Sequence, residues 1–178
     1  MASLGHVAVG MVAARLFTRR AEGRPTVRAM LVGAGLSLLP DLDVVAFAAG
    51  IPYGAPLGHR GASHSIAFAV LLGVVAALIA PRLRLSRGGA ALFTTAVVGS
   101  RGLLDAMTDG GKGIALFWPL STERIFLPWR PLPVAPIGAD LVSVRGLEVM
   151  LVELAIFAPL FVWALWPRRP PALPPSPV

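Results

Sequence analysis

Five long apolar stretches, separated by short arginine clusters, constrain this chain more than any other feature. They run from about Ala2 to Phe17, Ala29 to about Gly50, near Ser63 to Pro81, Gly88 to about Met107, and about Gly146 to Trp166. A helix that crosses a bilayer needs ~20 residues, within a range of roughly 17–25. The first and third stretches are short on that scale, so they are expected to tilt less, thin the bilayer or sit partly inside a bundle. None alternates as a barrel strand would. Composition agrees: AVILMFWYC make up 56% of the 178 residues, with 19 glycines besides, and only 14% are charged. A soluble domain carries about 25% charged residues and could not hide so much apolar side chain behind a polar surface. Lipid as solvent removes that difficulty. The expected fold class is therefore all-α: an integral membrane bundle of about five helices with a short first helix. It forms one domain over 1–167, followed by a Pro-rich, disordered tail over 168–178.

Thr108 to Arg145, between the fourth and fifth stretches, is rich in Gly, Pro and aromatics. Its prolines exclude a continuous helix, and Trp118 and Trp129 suit the headgroup region. An ordered loop on the membrane surface is expected in preference to a functional lid.

The net charge of +7 raises nucleic acid as a partner. The arginines form no face, however; they sit between apolar runs, so nucleic acid is not expected and the pattern reads as topology. Arg15, Arg19, Arg20, Arg24 and Arg28 follow the first stretch, Arg82, Arg84 and Arg87 the third, and Arg168 and Arg169 the fifth. With five spans these ten charges share one side, with Glu22 the only acid there. The positive-inside rule then places the N-terminus out and the C-terminus in. The first stretch precedes its charges, so it is not expected to be a cleaved signal peptide. There is no cysteine, which excludes thiolate metal sites and disulfides.

This topology puts His6, Asp41, Asp43, His59, His64, Asp105, Asp109, Glu148 and Glu153 toward the same, outer side. Ionisable groups within a membrane cost roughly 2.5–3.5 kcal/mol each on insertion scales, so they face partners or polar cavities. Imidazole and carboxylate together suit Zn, Mn or Fe, and such an ion lowers the pKa of water toward neutrality. The spacing of His59 and His64 is not the i, i+4 of one helix face. It requires His59 in a loop and His64 at a helix start, with Ser63 as a possible cap.

Simpler readings exist residue by residue. His6 alone reads as an interfacial side chain. Asp41 and Asp43 follow Pro40 and fit a helix break near a new N-terminus. Arg101 and Asp105 are spaced as an i, i+4 ion pair. Asp109-Gly110-Gly111 fits a turn. Lys112, Arg124 and Arg130 fit contacts with lipid headgroups. Convergence of these residues, not any one of them, favours a site.

The segments LLPDLD (38–43), HRGASHS (59–65) and LLDAMTDGG (103–111) resemble the YdjM-like family of bacterial inner-membrane proteins, described as metal-dependent hydrolases. Gly5-His6, Phe117 to Ser121, Glu123-Arg124 and Pro128 to Pro131 extend the resemblance, which covers the chain to about Trp166. It implies a helical protein of the bacterial inner membrane with a divalent metal ion. By motif the implied ligands are His6, Asp41, His59, His64 and Asp105, with Asp43 a further ligand or general base. One position departs from the pattern: the family usually has histidine where Arg101 stands. A guanidinium stays protonated and cannot ligate. Either the ion is held with one ligand fewer and Arg101 orients an anionic substrate, or the guanidinium replaces the ion and pairs with Asp105.

The function expected is hydrolysis of an ester or phosphoester in a lipid or lipid-linked substrate. Asp43 would act as base, and Arg101, Arg124 or Arg130 would hold an anionic group. The competing expectation is a non-catalytic membrane protein with a degenerate site. A small transporter fits less well, since its polar residues should reach the midplane from both sides.

Overall fold

A computed structural model describes residues 3–21 and 27–167. Expectations resting on Glu22, Arg24, Arg168, Arg169, the 168–178 tail and the side chains of Arg19 and Arg20 lie outside the described residues. Five α-helices follow one another: α1 (Leu4–Ala21), α2 (Val27–Leu38), α3 (Ile66–Ile79), α4 (Arg87–Ala106) and α5 (Val144–Leu165). The described residues contain no strand, only the isolated bridges Thr108–Leu132 and Ile114–Ile125. The protein is thus all-helical, as its sequence predicts.

By length and composition, three segments can cross a membrane: Val27–Phe47, Ile66–Leu83 and Val144–Leu165. They contain α2, α3 and α5, and these helices lie on the outside. Leu31, Val32, Val70, Leu71, Leu78, Leu151 and Leu165 all point outward from them. Helices α1 and α4 lie inside: α1 packs on α2, α4 and α5, and α4 packs on α1, α2 and α3. Neighbouring helices cover much of their surface, and those covered faces tolerate polar groups that an outer helix could not. That explains why α4 buries Arg101 and Asp105. Gly10 and Gly33 let α1 and α2 meet backbone to backbone: a Cβ on Gly33 would stand 2.2 Å from the Gly10 carbonyl oxygen. Small residues at such a crossing are how helices approach closely in lipid.

Local chemistry sets the helix ends. Pro40 cannot continue α2, and the chain tightens into a 3₁₀ helix over Leu39–Phe47. Ser65, Ser86 and Ser143 cap α3, α4 and α5 by accepting from Phe68, Gly89 and Gly146. The cap of α3 is therefore Ser65 and not Ser63. His64 sits just before α3 in a 3₁₀ turn, Ala62–His64, where the β-region backbone of Ser65 ends the turn and starts the helix. Arg15, counted from sequence among the loop cations, is buried. It donates to the carbonyls of Ala164 and Trp166 and lies over the Trp163 ring. A cation there complements the C-terminal end of α5.

The stretch from Thr108 to Arg145 folds over one end of the bundle. Leu132 inserts among Ala8, Phe157, Leu104 and Met107. Ile114 and Leu116 pack on Ala106 at the end of α4. Backbone bonds tie this loop to the neighbouring turn: Ala115 N–H donates to the Arg60 carbonyl, and Ile66 N–H to that of Leu116.

Candidate metal centre

Four parts of the chain meet beneath that loop. The N-terminal turn of α1 brings His6, the 3₁₀ helix after α2 brings Asp41 and Asp43, the 59–64 turn brings His59 and His64, and the last turns of α4 bring Arg101 and Asp105. Two local features make this possible. Arg60 adopts a left-handed backbone at φ 60°, uncommon for a residue with a Cβ. The turn it forms aims its N–H at Asp43 Oδ2, at 3.1 Å. Gly102 lets α4 lie against the His64 backbone, since a Cβ there would stand 2.4 Å from the His64 carbonyl oxygen.

The two aspartates of the 3₁₀ helix flank His64 from opposite sides. Asp43 Oδ1 lies 2.6 Å from His59 Nδ1. Its Oδ2 accepts from Ser63 Oγ at 2.5 Å and lies 3.2 Å from His64 Nδ1. His64 Nε2 points the other way, 3.3 Å from Asp41 Oδ1 and 3.4 Å from Asp105 Oδ2. His6 Nε2 lies 3.6 Å from Asp105 Oδ1. Burial disfavours the charged form of His64, but the carboxylates of Asp105, Asp41 and Asp43, 3.2–3.4 Å from its ring nitrogens, outweigh burial and raise its pKa to about 10. The field at this point favours positive charge.

Two guanidinium groups share the space. Arg60 donates to Asp105 Oδ1 at 3.2 Å, to Thr108 Oγ1 at 3.1 Å and to the Gly110 carbonyl. Arg101 donates to Asp105 Oδ2 at 3.3 Å and to the Ser37 carbonyl, and it pairs with Asp41. The sequence-expected pair of Arg101 and Asp105 is present, and Arg101 bridges it to Asp41.

The donor set fits a divalent ion in one respect that hydrogen bonding leaves open. His6 Nδ1 and Nε2, His64 Nε2 and Asp41 Oδ1 are buried without a hydrogen-bond partner. Buried polar atoms are normally satisfied, and three of these four lie within 3.3–3.6 Å of a carboxylate oxygen or imidazole nitrogen of the same group. Ligands bound at roughly 2.0–2.2 Å in tetrahedral or octahedral arrangement stand about 3–3.5 Å apart. Asp41, His64 and Asp105 each offer an atom within 4.8 Å of the others, as do Asp41, Asp43 and His59. Asp43 and His64 also form the carboxylate–histidine pair that fixes a ligand's tautomer and orientation.

Arg124 and Arg130 lie elsewhere. Arg124 donates to the carbonyls of Tyr53, Ala55, His59, Arg60 and Gly113, so it laces the loop to the 53–60 segment. Arg130 is exposed and stacks over Phe126. Asp109 accepts from Val134 N–H within the loop. Lys112 lies over the Tyr53 ring. The contacts of three participants escape a reading by residue type. Arg60 and Ser63 lie inside the HRGASHS motif, but their partners are set by folding. Glu153, fully buried on α5, accepts from Gly5 N–H beside His6; its signal was an acid set in the run MLVELAIF of α5.

The YdjM inner membrane protein family matches residues 1–170. The chain is also 38% identical over 147 residues to the inner membrane protein YbcI of Escherichia coli (strain K12), covering 80% of this chain and 85% of that protein. No solved structure matches.

Proposed function

The chain belongs to the YdjM inner membrane protein family, and from that premise we propose that it is a metal-dependent hydrolase of an ester or phosphoester in a lipid or lipid-linked substrate. The observation that supports this reading is the convergence of His6 Nε2, His64 Nε2 and Asp41 Oδ1, buried and without hydrogen bonds, around Asp105. Asp41, His64 and Asp105 would hold the ion, with His6 a further donor beside Asp105 and His59 a further donor through the group it forms with Asp41 and Asp43. When bound, such an ion supplies Lewis acidity and acidifies water. Asp43 holds the Nδ1 edges of both His59 and His64. It fixes both imidazoles toward the centre, and Asp43 is the base that accepts a proton. Arg124 holds the loop in place, and Arg130 meets an anionic group of the substrate. Multiple spans with the N-terminus out and the C-terminus in belong to the same proposal.

Arg101 favours a second reading, a non-catalytic membrane protein with a degenerate site. Asp41, Asp43 and Asp105 face Arg60, Arg101 and a protonated His64, and those charges balance without an ion. Metal analysis of the purified full-length protein separates the two, with wild type, His64→Ala and Arg101→His prepared under metal-replete conditions. Stoichiometric metal in wild type, lost in His64→Ala, is the result expected of the hydrolase. Metal in Arg101→His alone means a lapsed site, and metal in none of the three overturns the metal reading.

A further inference from the structure

The end of the bundle away from the His/Asp group carries a groove of about 600 Å³ between α1 and α4. That is within the roughly 300–1,000 Å³ of ligand sites. Its apolar walls are Leu16 and Phe17 on α1 and Leu92, Phe93 and Ala96 on α4, with Arg84 and Ser86 at the rim. Phe17 and Phe93 stack at 5.0 Å and form part of its wall. The groove exists because the two inner helices are covered unequally. At the loop end, Leu132 fills the seam between α1, α4 and α5. Among the described residues the groove is lined by α1, α4 and the short Arg84–Ser86 connection between α3 and α4. Phe17 lies eleven positions after His6 on α1, about 16 Å along a helix, so the groove is distinct from the candidate centre.

Charge is also divided between the two ends. Among the described residues every Asp and Glu lies on the loop side: Asp41 and Asp43 beyond α2, Asp105 in the last turn of α4, Asp109 to Asp140 in the loop, and Glu148 and Glu153 in the first half of α5. Arg82, Arg84 and Arg87 are exposed at the groove end. Glu22 lies outside the described residues. An apolar trough opening at an arginine-rich rim matches an acyl chain joined to an anionic headgroup.

We propose that the groove between α1 and α4 binds one anionic phospholipid, with an acyl chain along Phe17 and Phe93 and its phosphate on Arg84. Arg87 and the Ser86 hydroxyl stand beside that phosphate. The site is structural or regulatory and independent of hydrolysis at the other end.

The test is native mass spectrometry of the full-length protein released from micelles holding equal amounts of phosphatidylglycerol and phosphatidylcholine. Wild type is expected to retain one phosphatidylglycerol in preference to phosphatidylcholine. Arg84→Gln should lower that preference about fivefold, the effect of one basic residue at an anionic surface. Ala96→Phe, which fills the groove without changing charge, should lose both lipids while remaining monodisperse and helical. Arg145→Gln at the opposite end should behave as wild type. Equal retention of the two lipids by wild type, an unchanged preference in Arg84→Gln, or lipid retained by Ala96→Phe would each overturn the proposal.

Discussion

Replacing Arg101 with methionine removes the guanidinium but keeps an unbranched, helix-compatible stem. Arg101 is 1% exposed. It bonds Asp105 at 3.3 Å and the Ser37 carbonyl at 3.3 Å, and it pairs with Asp41. After the change Asp105 still has Arg60 and His64, whereas Asp41 keeps only His64 among these partners. Removing one member of a buried ion pair costs about 3–5 kcal/mol, because the other charge stays behind. Asp41 is 27% exposed, and water at that edge moves the expected loss to the lower end, about 3 kcal/mol. The matched control is Arg145→Met. Arg145 and Glu148 form a 3.5 Å pair whose side chains are 58% and 60% exposed, a kind of pair worth about 0–1 kcal/mol. Both variants are unfolded by SDS in mixed micelles with chelator present, and helical circular dichroism gives the free energies. If Arg101→Met lies within about 1 kcal/mol of Arg145→Met, the bridge from α4 to Asp41 is not what holds this end together.

Three further outcomes are expected. Gly102→Ala would force α4 about 1 Å away from the His64 carbonyl to restore ordinary contact, costing about 1–3 kcal/mol and weakening zinc uptake in titration; wild-type values for both would contradict the close approach. Ser65→Ala should remove about 1 kcal/mol of capping and speed hydrogen exchange of the first amides of α3, whereas Ser63→Ala should leave those amides protected; the reverse pattern would restore Ser63 as the cap. Gly33→Ala places a methyl 2.2 Å from the Gly10 carbonyl oxygen, so it should lower the SDS unfolding midpoint more than Gly35→Ala, whose Cβ meets nothing within 4 Å. Equal midpoints would mean that the α1–α2 crossing adjusts freely.

Much of the fold is legible in the chain because it depends on local quantities. Apolar run lengths locate the five helices, and Pro40 marks the end of α2 since a proline lacks the N–H and crowds the preceding turn. The spacing of His59 and His64 requires the turn before α3 that is found. The four-residue step from Arg101 to Asp105 gives their pairing, because i and i+4 share a helix face. Capping is legible only in kind: two serines precede α3, and the backbone conformation at Ser65 decides which one caps.

By itself, then, the sequence determined a helical membrane chain, and it led to the expectation that the histidines and every acid but Glu22 share one side while arginine clusters mark the other. Hydropathy and charge act residue by residue, and lipid penalises any other arrangement. Tertiary structure alone decided which helices are inner and which outer, and that His64 turns one nitrogen to Asp43 and the other to Asp41 and Asp105. It also decided that Arg101 reaches across 60 residues of chain to Asp41. These contacts follow from crossing distances set by backbone approaches such as Gly102 on His64 and Gly10 on Gly33. Which side chains meet across two helices depends on how closely the helices pack, and no local pattern in either one records it.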